Sequence, residues 1–347
     1  MKLSKQTFDH IISLSEYELL AAAKIRAEFG IHGASIESVN KVRDKVLMKE
    51  CMQQYNIRVP QFQHLSRLMN DSLLVNAWCG KTVLKPVDGA SSENVKVFRS
   101  LDEVYRKVRQ RKTGIPVLDQ NLASWDCFEV EEYIEGDILH IDGVVNDGKL
   151  SYCIASEYLG TCLDYANGYP LGSFQIDTTP AIQQWTEECL VAVDIQQGCF
   201  HLESISTSQG LVFLEIANRV GGADVVKTFE MATDIHLPTA ELSMITHDMD
   251  ILESKKNADK YAWFVFPGHH IYSGYCHINL PQWLNNHSSV VELFQLDSKM
   301  ACKPHITYQP HEAPVAGVLK AKNSSSLKAL MQDIFQQVSI EEWKQSA

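Results

Sequence analysis

Alternation of apolar and polar residues, the period of a half-buried strand, marks Phe128–Ile134, and β-branched and aromatic residues mark both arms of the stretch His201–Gly222. Ile138–Val145 and Leu150–Tyr158 flank Asn146-Asp-Gly-Lys149, and turn formers at Ser208-Gln209-Gly210 divide the second stretch, which predicts two β-hairpins. Phe8–Leu14, Thr82–Lys85, Val95–Phe98, Tyr261–Phe266 and Pro314–Lys320 read as further strands. The helical period predicts Glu16–Phe29, with Leu19, Leu20, Ala23 and Ala27 on one face and Gly30 as the stop. It also predicts Val42–Tyr55, Arg67–Trp78, Leu101–Arg111, Ala181–Asp194, Ala223–Met231, Leu237–His247 and Ser325–Val338. Gly160–Phe174, with four Gly or Pro, reads as a long loop of the kind that closes a site. The class is α+β, with strands and helices that are not in strict alternation.

The first strand and helix form a lone βα unit, which cannot bury both its faces. It must dock on the body or on another chain, and a homodimer is expected. Across 347 residues the chain can hold two or three subdomains. The balance of 31 Lys+Arg against 43 Asp+Glu argues against nucleic acid or an anionic membrane as partner. Nine cysteines without a C-x-x-C pair suit reduced thiols in the cytoplasm, and no stretch is long enough to span a bilayer.

Chemistry enters at the second hairpin. A turn centred on Gln209 sets Glu203 opposite Glu215, with Cβ atoms about 5 Å apart. Apolar flanks screen such a pair poorly. Either a proton or a cation sits between them, or both glutamates are solvated on an ordinary hairpin. Arg219 and Gly221-Gly222 follow, so carboxylates, a guanidinium and a glycine-rich helix start suggest a magnesium–phosphate site. Lys85-Pro-Val-Asp-Gly-Ala-Ser-Ser92 delivers a lysine from a strand into a small-residue loop, whose backbone can approach phosphate oxygens. The same segment also fits a hairpin turn with a surface lysine. Gly80-Lys81-Thr82 is not a P-loop, because Val75 stands where the first glycine belongs and a strand follows. His140 and Asp142, two residues apart in the first hairpin, share a face.

Taken in order, Arg43-Asp-Lys45, Lys85–Ser92, Glu129–Asp137 with His140–Gly143, and Glu203…Glu215-Ile-Ala-Asn-Arg-Val-Gly-Gly222 resemble the ATP-grasp superfamily over nearly the whole chain. The branch they look most like holds the L-amino-acid ligases and carnosine-synthase-like enzymes. That resemblance implies two α+β subdomains clasping ATP: a shortened N-terminal unit (1–60), subdomain 1 (61–134), subdomain 2 (135–254) and a small C-terminal α+β subdomain (255–347). It implies that Lys45 and Lys85 hold phosphates under a loop of Gly89, Ala90, Ser91 and Ser92. Glu131, Glu132, Tyr133 and Ile134 would form the adenine edge, and Asp137 or His140 would approach the ribose. Glu203 and Glu215 would bind magnesium, or manganese in its place. Arg219, with Lys85 as the second catalytic cation, would steady the transferred phosphate, and Asp142, Arg219, Gly221 and Gly222 would face substrate.

Two departures stand out. The family's third metal-side ligand, an Asn two residues after the second Glu, is Ala217 here, and Asn218 comes one later, on the opposite face unless a bulge restores it. The N-terminal domain is also short. The implied activity is an ADP-forming carboxylate–amine ligase acting on small acids and amines such as amino acids. The alternatives are an inactive ATP-grasp protein serving as a nucleotide-binding or partner subunit, and, ranked below both, an ATP-dependent carboxylase.

Overall fold

Two antiparallel sheets face one another across a cleft, and both hairpins that the pattern marks lie in the larger one. The computed structural model describes residues 7–246 and 257–343, so the boundary expected at 254/255 lies outside the described residues.

The smaller sheet holds β1 (Phe62–His64), β2 (Thr82–Pro86), β3 (Lys96–Phe98) and β4 (Phe128–Glu132) in the order β1-β4-β2-β3. Its apolar face packs Leu84, Val130 and Phe128 against Leu65, Leu68, Leu101 and Val104 of two helices. Ser100 caps the second of these, Leu101–Arg109, by accepting from the Glu103 amide. The acidic face of β4, which alternation would give to solvent, is buried: Glu129 is fully covered and Glu131 is 3% exposed. They are tolerated there because two lysines meet them.

The larger sheet contains β5 (Asp137–Asn146), β6 (Lys149–Leu159), β7 (Leu171–Gln175), β8 (Gly198–Thr207), β9 (Gly210–Ala217) and β10 (Lys260–Phe266). After β11 (Cys276–Asn279) the chain adds β12 (Val290–Gln295) and β13 (Val315–Ala321), then β14 (Ser339–Glu342), which pairs with β11 alone. The eight strands run β12-β13-β10-β7-β6-β5-β8-β9. The β5–β6 turn has positive φ at both Asp147 and Gly148, the geometry that matches strand twist. One face buries Ile141, Ala155, Phe200, Leu202, Phe213 and Ile216 under the helix Pro180–Ala192 and its neighbours. On the other face, helices Val225–Thr233 and Leu237–Thr246 cover Val144 and Cys199, Tyr165 and Val225 pack with Leu171, Trp263, Val265 and Ala316, and Tyr158, Glu203 and Glu215 look into the cleft.

Several expectations change. Phe8–Leu14 pairs with nothing and is no strand; its Ile11 carbonyl accepts instead from Arg26 Nη1 at 2.8 Å. The helix expected over Val42–Tyr55 runs over Lys45–Gln54 (α2), starting later because Asp44 accepts from the Val46 and Leu47 amides and caps it there, and a further, unexpected helix, α1 (Ile36–Lys41), precedes it. Gly160–Phe174 is only partly a loop: its end is β7, an inner strand of the larger sheet. Gly172 permits this, since a Cβ there would lie 2.3 Å from Met331 and 2.8 Å from the Trp263 carbonyl. Strands β10, β12 and β13 continue the same sheet as β5–β9, so that part of the C-terminal segment adds to the larger sheet, while β11 and β14 pair apart from it.

Candidate active site

Lys45 opens α2 and Lys49 lies one turn later on the same face. Lys49, with no exposed surface, binds both oxygens of Glu129 at 2.6 and 2.7 Å and Glu131 Oε2 at 2.7 Å. Lys85, from the end of β2, binds Glu131 Oε1 at 2.6 Å. Burial works against the charge on Lys85, but Glu131, Glu129 and Glu215 outweigh it and raise its pKa, so the ammonium is permanent. Burial likewise opposes the Glu131 charge, and Lys49 and Lys85 hold that carboxyl below its usual range. Lys45 donates to the Gly89 carbonyl at 2.6 Å and lies 3.2 Å from Glu215 Oε2.

The small-residue loop after β2 holds Ser91 and Ser92 at φ near +55, a conformation that L residues adopt rarely. Such strain concentrates where a loop must present its backbone to a ligand.

Glu203 on β8 stands opposite Glu215 on β9. The route to that pairing differs from a turn centred on Gln209. The turn is two residues long, Thr207 pairs with Gly210, and an unbroken ladder would set Glu203 against Leu214. A register shift between Glu203 and Ser204 moves the partner to Glu215. Glu215 is 34% exposed to the cleft. Burial opposes its charge, and Lys45 and Lys85 bring its pKa down to about 2. Glu203 Oε1 accepts from the Tyr158 hydroxyl at 3.1 Å and from His201 Nε2 at 3.3 Å. Among the described residues, one oxygen of each glutamate, Glu203 Oε2 and Glu215 Oε1, is therefore left without a protein donor, and this carboxylate pair suits one hard divalent cation.

Two cavities meet at these residues. One of about 440 Å³ is lined by Val83, Tyr133, Ile134, Ile138, Ile205 and Leu214 together with Lys85 and Glu132. The other, about 140 Å³, is lined by Glu16, Arg219, Gly222, Trp263, Leu171 and Tyr308. Lys45, Gly89–Ser92, Tyr158, Glu203 and Glu215 border both. Arg219 donates through Nη1 to the Val220 carbonyl at 2.6 Å and through Nε to Glu16, whose other oxygen takes Arg43.

The remaining expected site residues fall elsewhere. Asn218 turns away and donates to the Cys199 and Gln197 carbonyls at 2.8 and 3.3 Å, because the bulge lies before Glu215 and leaves Ala217, not Asn218, in step with the two glutamates. Asp137 is exposed and lines neither cavity. His140 and Asp142 are each 2% exposed and line neither cavity. Gly221 is buried over Asp142, while Gly222 borders the smaller cavity. Sequence reading missed Glu16, Lys49, Tyr158 and His201. The signals for two of them were present: Lys49 is four residues from Lys45 on a helix, and His201 two from Glu203 on a strand.

No protein-family model matches the chain. An L-arginine-specific L-amino acid ligase of Bacillus subtilis is 28% identical over 245 residues, 68% of this chain and 57% of that protein. The carbamoyl phosphate synthase large chain of Rubrobacter xylanophilus is 26% identical over 118 residues, 32% of this chain and 11% of that one. The chain thus spans little more than half of the first relative and a ninth of the second. Among solved structures, an L-amino acid ligase from Bacillus licheniformis superposes with TM-score 0.71 at 16% identity, covering 97% of this chain and 81% of that one. An N5-carboxyaminoimidazole ribonucleotide synthetase from Thermotoga maritima does so with TM-score 0.65 at 15% identity, covering 95% and 81%. The chain has the ATP-grasp fold, and its sequence is similar to that of an L-amino acid ligase.

Proposed function

We propose that this protein is an ATP-dependent carboxylate–amine ligase that joins small molecules, amino acids among them, through an acyl phosphate and releases ADP and phosphate. The observation that carries the reading is the opposition of Glu203 and Glu215 where the two cavities meet, with Lys45 and Lys85 around them. The larger cavity suits a nucleotide: apolar walls for a base, and two lysines and a strained small-residue loop for its phosphates. The smaller cavity suits the acid and the amine.

A carboxylate does not react with an amine at neutral pH, because oxide is a hopeless leaving group. In the proposed reaction a carboxylate oxygen attacks the γ-phosphorus and ADP leaves. The amine nitrogen then attacks the acyl carbon, phosphate leaves with the C–O electron pair, and the nitrogen loses a proton. The first step brings two anions together, so it requires cations on both sides. Lys45 and Lys85 supply two of them. Glu203 and Glu215 would hold magnesium, or manganese in its place, which when bound neutralises phosphate charge. Arg219, bidentate by nature, would grip the entering carboxylate and then the acyl phosphate. Glu16 already occupies that guanidinium, so substrate must displace a carboxylate from it.

The nine thiols, six of them buried, support a reducing cytoplasm as the location. Among the described residues no helix is long and apolar enough to cross a membrane. A homodimer is proposed through the N-terminal segment, which exposes Phe8, Tyr17 and Phe29.

The test is turnover of purified protein with ATP, magnesium and a panel of paired amino acids and small acids. ADP and phosphate formed in step with an amide support the reading. AMP as the main nucleotide product refutes it.

A further inference from the structure

Beneath the two opposed glutamates runs a chain of side chains that the ligase chemistry does not use directly. Ser173 Oγ lies 2.6 Å from His140 Nε2, and His140 Nδ1 lies 2.5 Å from Asp142 Oδ2. The other Asp142 oxygen meets His201 Nδ1 at 2.8 Å, and His201 Nε2 meets Glu203 Oε1. Tyr158 closes the far end by donating to that same Glu203 oxygen. The residues come from β7, β5, β8 and β6, four neighbouring strands of one sheet.

The chemistry of each contact fixes the protons. A carboxylate only accepts, so Asp142 takes an N–H from both histidines, and His201, set between Asp142 and Glu203, must carry hydrogen on both nitrogens. His140, Asp142 and His201 lie close enough to hold a metal ion between them. They are not such a site, because each Nδ1 already points an N–H at Asp142 and offers it no lone pair. The chain is also closed from above. A Cβ on Gly221 would stand 2.6 Å from Asp142 Oδ1 and 3.0 Å from His201 Nδ1, so only glycine lets the backbone lie on this pair.

We propose that Tyr158 and the relay Ser173–His140–Asp142–His201 are positioning residues for Glu203. Both donors saturate Oε1, so the carboxylate cannot rotate and presents Oε2 alone to the cation shared with Glu215. The orientation of Glu203 is then set by the protein, from β7 inward, and Oε2 is the oxygen that would meet a cation. Partners that orient a ligating group in this way alter metal affinity about 10–100-fold when lost.

This inference rests on the metal site of the ligase reading, and its test separates the two. Mn²⁺ binding to the purified chain in the presence of ADP is followed by electron paramagnetic resonance, with ADP affinity in EDTA and melting temperature measured beside it. Tyr158→Phe keeps every charge and removes one donor; it should fold normally and weaken Mn²⁺ about tenfold, well beyond any change in ADP affinity in EDTA. His201→Gln should weaken it more, and Ser173→Ala, at the far end, less. A purely structural role predicts lower melting temperatures with Mn²⁺ affinity unchanged in the folded variants, and that result overturns the relay alone. If the unmodified protein binds no Mn²⁺ with ADP, the metal site falls and the relay's purpose with it.

Discussion

Replacing Lys85 by Met, alone and together with Glu131→Gln, tests whether the buried charge cluster serves the fold or the nucleotide. Lys49, Lys85, Glu129 and Glu131 form a neutral set of two cations and two anions, none more than 7% exposed in its side chain. Lys85→Met leaves a net negative charge there, and breaking a buried pair from one side costs about 3–5 kcal/mol. Adding Glu131→Gln restores neutrality, with Lys49 still bound by both oxygens of Glu129. Replacing both partners of a buried pair is often close to neutral, so most of that loss should return. Nucleotide binding should not return. A charge-assisted contact to phosphate contributes about 1.5–3 kcal/mol, so both variants should bind ADP roughly 10- to 150-fold more weakly. Urea denaturation reads the first quantity and calorimetry the second. If the double variant binds ADP as the unmodified protein does, Lys85 is a structural cation and touches no phosphate.

Glu203→Gln and Glu215→Gln should each cut ADP formation by about 10²–10³ or more while leaving the fold intact; turnover near the unmodified rate in both would remove them from the metal site. Arg219→Lys should keep ATP binding and lose most of the amide-forming rate, because a point charge cannot reproduce a bidentate grip; full activity would count against its role. Burial opposes the charge on His201, yet Asp142 and Glu203 raise its pKa from 6.5 to about 10. Its stabilising contribution is therefore complete below pH 6.5 and is lost as pH rises through 10, by a few kcal/mol at about 1.4 per unit. Denaturation at pH 6.5, 8 and 9.5 should show that decline, and the His201→Gln variant should show a flatter one. Light scattering should find a dimer at micromolar concentration, and a stable monomer would refute the N-terminal interface.

What the sequence determined by itself was local. The Asn146-Asp-Gly-Lys149 turn and its flanking strands are set by residues within a few positions of one another, and they form as read. The ATP-grasp fold was readable because four short motifs stand in the right order along the chain. Tertiary structure decided what depends on partners far along the chain. Nothing near Phe128–Glu132 announces that its acids turn inward; Lys49, 80 residues before Glu129, makes that stable. Leu171–Gln175 resembles loop because its glycine and serine have no period, and it is a strand because β6 and β10 flank it with donors and acceptors. Glu16 reaches Arg219 across 203 residues. Asn218 misses the site through one bulge, a half-turn of the pleat that no neighbouring residue signals. Local pattern sets where strands and turns form, and only the assembled sheets set their register and what each face meets.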